Sequence, residues 1–198
     1  MPQSLLPFSL FALVASLSPG PTNLLILAIG AQHGLRATVA LVFTACVSAA
    51  LVVLLVGLGL GELLASLAWL QQALAWLGVA WLSRLAWQMW RAADRALEPS
   101  GKQGITAWGV AMLQLVNPKV WLMATAVISV FAGPAGQTLG GLLLLSTVFL
   151  LIALPCMGAW AVLGASSTRL LQAPAGFRRF NRLLAALLLI SAWSTLLL

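Results

Sequence analysis

The chain has 198 residues, of which 62% are hydrophobic and 7% charged, and its mean hydropathy is +1.07. So few charges cannot cover a soluble surface, so composition defines an integral membrane protein and excludes a water-facing domain. The net charge of +7 does not mark a nucleic-acid binder, because the basic residues fall between hydrophobic segments and form no polar stripe.

Apolar segments run at about 5–31, 36–60, 66–90, 104–131, 138–165 and 180–198, and a helix needs roughly 20 such residues to cross the hydrocarbon core. All six are expected to be helices, because irregular backbone facing lipid would leave amides unpaired. The expected fold is therefore all-α: a polytopic membrane protein with six transmembrane helices forming one domain over residues 1–198. The first segment follows no basic stretch and is expected to stay in place as a span.

Within that first segment, "SPGPTN" (18–23) interrupts the apolar run. Pro19 and Pro21 remove amide donors, Gly20 permits a sharp turn, and Ser18 and Thr22 can satisfy the freed backbone groups. The helix can restart with Pro21 in its first turn. Asn23 adds an amide beside the break, free to bond a ligand or to bridge helices.

The second segment carries Cys46 in "VFTACVS" and ends at "GLGLG", whose glycine spacing allows close helix approach. A second such pair in "GQTLG" (136–140) follows the fourth segment, and both are compatible with a homo-oligomer. Tryptophans 69, 76, 81, 87, 90 and 108 cluster in or near segments three and four, where indoles favour the membrane interface. Arg84 lies within snorkelling distance of a helix end and is read as structural.

The fourth segment has its own interruption, "MLQLVNPKVWLM" (112–123), about halfway along. Asn117 followed by Pro118 can cap a second helix restart, and Gln114 supplies an amide just before it. Lys119 sits roughly 14 residues, about 21 Å, from the nearer cytoplasmic end. An ammonium at that depth is a functional candidate, and its partner would be a substrate carboxylate or the carbonyls of the facing break.

Cys156 lies in the fifth segment; its spacing from Cys46 fits neither a metal site nor a disulfide framework, so no metal or cofactor is expected. Arg36 falls in the first connection, Arg91, Arg95 and Lys102 in the third, and Arg169, Arg178, Arg179 and Arg182 in the fifth. The second and fourth connections hold none, which makes the odd connections cytoplasmic and places both termini outside. The acids Glu62, Asp94 and Glu98 all fall in or beside connections.

If the chain consists of two three-helix repeats, 1–92 and 103–198, the odd number of spans in each forces them into opposite orientations, and matching broken helices in inverted repeats point to a transport site. Two positive half-helix ends suit a carboxylate, and the carbonyls left by the breaks suit an ammonium, so a zwitterionic amino acid fits both. The candidate substrate-binding set is Ser18, Pro19, Gly20, Pro21, Thr22, Asn23, Gln114, Asn117, Pro118 and Lys119. No catalytic residue is expected, and the partners are a small-molecule substrate and the lipid bilayer.

Several motifs in order, "SPGPTNLLILAIGAQHGLRAT" (18–38), "WLGVAWLSRLAW" (76–87), "LQLVNPKVWLM" (113–123), "PCMGAWAVLG" (155–164) and "FNRLLA" (180–185), make the chain similar to the LysE/RhtB family of amino-acid exporters. The resemblance covers nearly the whole length and implies a bacterial inner-membrane exporter driven by the proton gradient. Two positions depart from the family pattern: Thr22, where Asn or Asp follows the PGP turn, and the stretch around Thr44, where a glycine is expected. A thiol-redox carrier using Cys46 and Cys156, or a small-ion exporter using the carbonyls of the breaks, is the alternative. Replacing both cysteines separates the first of these from the exporter.

Overall fold

The computed structural model describes residues 2–94, 106–132, 138–170 and 174–194, and every element among them is helical. Arg95, Glu98 and Lys102 of the third connection, and Gly136 of the second glycine pair, lie outside the described residues. In chain order the helices are α1 (Pro2–Leu17), α2 (Pro21–His33), α3 (Leu35–Leu55), α4 (Gly61–Ser66) and α5 (Ala68–Asp94). The second half holds α6 (Ala107–Val116), α7 (Pro118–Phe131), α8 (Leu139–Leu170) and α9 (Pro174–Trp193).

The connection between α2 and α3 contracts to Gly34, whose φ of 78° is a conformation that favours glycine. Helix α3 runs into α4 through a π-helical turn at Val56–Leu60, and Gly59, at φ 103°, makes the kink. Thr106 starts α6 by accepting the Gly109 amide at 3.1 Å, which satisfies one orphan donor of its first turn.

The stretches Leu35–Leu63 and Leu139–Ser167 are each long and apolar enough to cross a membrane. Two bent pairs add one span each if taken together: α1 with α2, bent by 54°, and α6 with α7, bent by 62°. Helices α5 and α9, 27 and 20 residues long, reach span length but carry more polar residues, including Arg84 in α5 and Asn181 and Arg182 in α9. Large apolar side chains such as Val14, Val39, Leu51, Leu122, Val130 and Leu151 face outward, as a lipid-contacting surface requires.

Helix α3 is central and packs against α2, α6, α7 and α8. Its buried face, with Ala45, Ala49, Val52 and Val53, joins Phe8, Ala124, Val127 and Phe149 in one apolar cluster. Helices α2 and α8 cross at backbone contact: a Cβ on Gly30 would lie 2.7 Å from the Ala161 carbonyl, and one on Gly164 would collide with that of Leu27. Such close crossings need small residues, so the glycines of two separated sequence motifs meet here. Gly57 of the first glycine pair packs against Leu142 and Ile128 of the same chain, so this glycine serves intramolecular packing.

Helices α5 and α9 pair along one side of the bundle. Trp76 and Trp193 meet edge to face at 6.3 Å, and the Trp193 indole N–H donates to Ser83 Oγ at 3.3 Å. Arg182 lies 5.2 Å over the Trp90 ring, and Gln32 donates to Asn181 Oδ1 at 3.0 Å, tying α2 to α9. Tryptophans 69, 76, 81, 87, 90 and 108 are all exposed.

Candidate functional site

Each helix break carries its own hydrogen bonds. At the first, Gly20 is extended and α2 begins at Pro21. Asn23 Nδ2 donates back to the Ser16 carbonyl at 2.9 Å and to the Ser18 carbonyl at 3.0 Å, satisfying two acceptors that the break frees from α1. Ser18 Oγ donates to the Ala15 carbonyl at 2.8 Å. The capping duty that sequence reasoning shared between Ser18 and Thr22 therefore falls to Ser18 and Asn23.

At the second break Asn117 is extended, with φ −84° and ψ 106°, and its Oδ1 accepts the Lys119 amide at 3.1 Å as the N-cap of α7. Trp121 Nε1 donates to the Leu115 carbonyl at 2.7 Å, closing the end of α6. A Cβ on Gly78 of α5 would collide with the neighbouring Val116 carbonyl, so that glycine lets α5 lie directly against the break.

The two breaks are joined to each other. Asn117 Nδ2 donates to Thr22 Oγ1 at 3.1 Å, and Thr22 Oγ1 donates to Gln114 Oε1 at 2.8 Å. Gln114 Nε2 continues the chain to the Ala45 carbonyl of α3 at 2.9 Å. All three side chains are buried, so these bonds run in a low-dielectric interior where an unpaired partner is costly. Lys119 reaches the opposite way: its Nζ donates to the Ser18 carbonyl at 2.7 Å and to Ser18 Oγ at 2.8 Å. Gly20 allows this approach, because a Cβ there would stand 2.9 Å from Lys119 Cδ.

A cavity of about 40 Å³ lies between the breaks, room for a few waters. Its wall includes Gly20, Pro21, Thr22, Asn23, Gln114, Asn117 and Lys119 from the sequence-derived set. Ser18 joins the site through its bonds to Lys119, whereas Pro19 is exposed and Pro118 shapes the α7 start without lining the cavity. Ala45, Cys46 and Ala49 of α3, Met123 of α7, and Phe149, Ala153 and Met157 of α8 supply an apolar side that sequence reasoning did not single out. Ser16 was also missed: it lines the cavity and its hydroxyl is buried with no hydrogen-bond partner. Cys156 is buried and free, and does not line the cavity. Among the described residues no group of three or more His, Cys, Asp or Glu could hold a metal ion.

Two broken helices meeting at a cavity inside an apolar bundle are an arrangement found in membrane transporters. The chain belongs to the family of LysE type translocators, which matches it over residues 13–197.

Its curated relatives include a cysteine/O-acetylserine efflux protein of Klebsiella pneumoniae, 32% identical over 93% of each chain. Proteins of the same name from Salmonella paratyphi A and Escherichia coli are 31% and 30% identical, over 96% of this chain and 95% of theirs. No solved structure matches.

Proposed function

We propose that the chain exports amino acids or related small zwitterionic metabolites across the bacterial inner membrane by alternating access, driven by the proton gradient. The observation that carries this reading is the meeting of the two breaks at one cavity, with the Lys119 ammonium and the starts of α2 and α7 on its wall. The Lys119 ammonium and the amides at the start of α2 hold the substrate carboxylate, and the carbonyl end of α1 holds its ammonium. The apolar wall of Ala45, Cys46, Ala49, Ala153 and Met157 takes the side chain. That wall has no carboxylate, so it suits a small uncharged group. The relatives' names make cysteine and O-acetylserine the first substrates to try.

In this reading α1 with α2, α3 with α4, α5, α6 with α7, α8 and α9 are six spans in two inverted halves, with both termini outside and the basic connections cytoplasmic. Counterpart spans of the two halves are in contact: α3 with α8, α5 with α9, and the two broken spans through α1 with α7 and α2 with α6. Rocking of the halves opens the cavity to each side in turn, and its walls must part to admit an amino acid.

The test is transport by purified protein in proteoliposomes, offered a panel of labelled amino acids that includes cysteine and O-acetylserine. Saturable movement of at least one, absent from protein-free vesicles, is expected. A panel in which none moves would refute the reading.

A further inference from the structure

Both hydrogen bonds of the Lys119 ammonium go to Ser18, one to its carbonyl and one to its hydroxyl. Ser18 closes α1, so the lysine of α7 occupies the carbonyl end of the facing half-helix, where the partial charge of a helix C-terminus favours a cation. The transport reading assigns the same place to the ammonium of the substrate. One position is thus claimed by two cations.

The geometry points to Lys119 as a latch that holds the substrate's ammonium subsite and yields it only to a zwitterion. An incoming amino acid inserts between Lys119 and Ser18, its ammonium on the Ser18 carbonyl and its carboxylate on Lys119. The charge in the site is +1 before and after, so the exchange does not gather like charges in a low-dielectric cavity. A primary amine without a carboxylate would leave two cations sharing the cavity with no anion.

No titratable group among the described residues of the cavity wall relieves that repulsion. Among the described residues that line the cavity, α3 contributes Cys46 as a further titratable side chain, while α1, α2, α6 and α8 contribute none. Glu62 of α4 is not in its wall. Asn23 Nδ2 still donates to the Ser18 carbonyl when Lys119 leaves, so unlatching does not orphan that acceptor.

The inference rests on the transport reading and adds a consequence of its own: removing the lysine should admit amines. Binding of propylamine to purified full-length protein is compared between wild type, Lys119→Met and Lys119→Arg by calorimetry. The latch predicts that Lys119→Met binds propylamine about tenfold or more tightly than wild type, the scale of one charge-assisted hydrogen bond. Lys119→Arg, which keeps the cation, is expected to exclude it as wild type does. Should Lys119→Met be recovered unfolded, Lys119→Gln carries the same expected gain.

Propylamine bound equally by wild type and Lys119→Met would overturn the latch, as would wild type binding it as tightly as the amino acid it moves. Wild type that moves no amino acid, together with a gain of amine binding in Lys119→Met, would refute the transport reading and keep the latch.

Discussion

Lys119→Ala is expected to lower the initial rate of amino-acid transport by about ten- to a hundredfold, since the charge-assisted hydrogen bond it would give the substrate carboxylate contributes roughly 1.5–3 kcal/mol. Its ammonium is bonded to Ser18 in the arrangement seen here, and it faces the cavity where the carboxylate is held in the proposed mechanism. Fold should survive the change, because the Thr22, Gln114 and Asn117 chain and the N-cap of α7 do not use the lysine side chain. Uptake of a labelled substrate into proteoliposomes, with reconstituted protein matched between variants, measures the effect. Undiminished transport would reject the role given to Lys119.

Asn117→Ala is expected to have the largest effect on stability, about 2–3 kcal/mol, combining the loss of an N-cap with that of a buried hydrogen bond. One side chain does both: Oδ1 caps α7 through the Lys119 amide and Nδ2 bonds Thr22, while the residue is 2% exposed. Asn117→Asp keeps the cap acceptor and removes the donor, so it should fall between wild type and alanine. Thermal unfolding in detergent, followed by loss of the monodisperse chromatographic peak, ranks the three. An alanine variant as stable as wild type would show that the bonds between the breaks do not hold the site together.

The breaks themselves were legible, because prolines, a glycine and polar groups inside an apolar run leave few other physical readings. Lys119 was legible as well, since a charge so far from either helix end needs a partner inside the protein. The pairing of groups was not. Thr22 and Asn23 are adjacent, and neighbouring helical residues point about 100° apart, so sequence could not say which one turns back to α1 and which faces the other break. Asn23 turns back to the Ser16 and Ser18 carbonyls, and Thr22 faces Gln114 and Asn117.

That division bears on the departure at Thr22 from the family pattern. Its hydroxyl, donor and acceptor at once, sits in the middle of the chain between the breaks. The cavity's apolar side was illegible for another reason: Ala45, Ala49 and Ala153 are small residues in apolar helices and differ from their neighbours only by facing the site. The crossing of Gly30 and Gly164 was hidden similarly, since each belongs to a different motif and their contact exists only in the fold.

Whether the substrate sits in the cavity between the two breaks can be read at Cys46, which lines it. In a Cys156→Ala background Cys46 is the remaining thiol, and its rate of alkylation by a small maleimide can be followed with and without the transported amino acid. Saturating substrate is predicted to slow the reaction severalfold, with the half-maximal concentration matching that for transport. An alkylation rate that stays constant while transport saturates would place the substrate elsewhere in the protein.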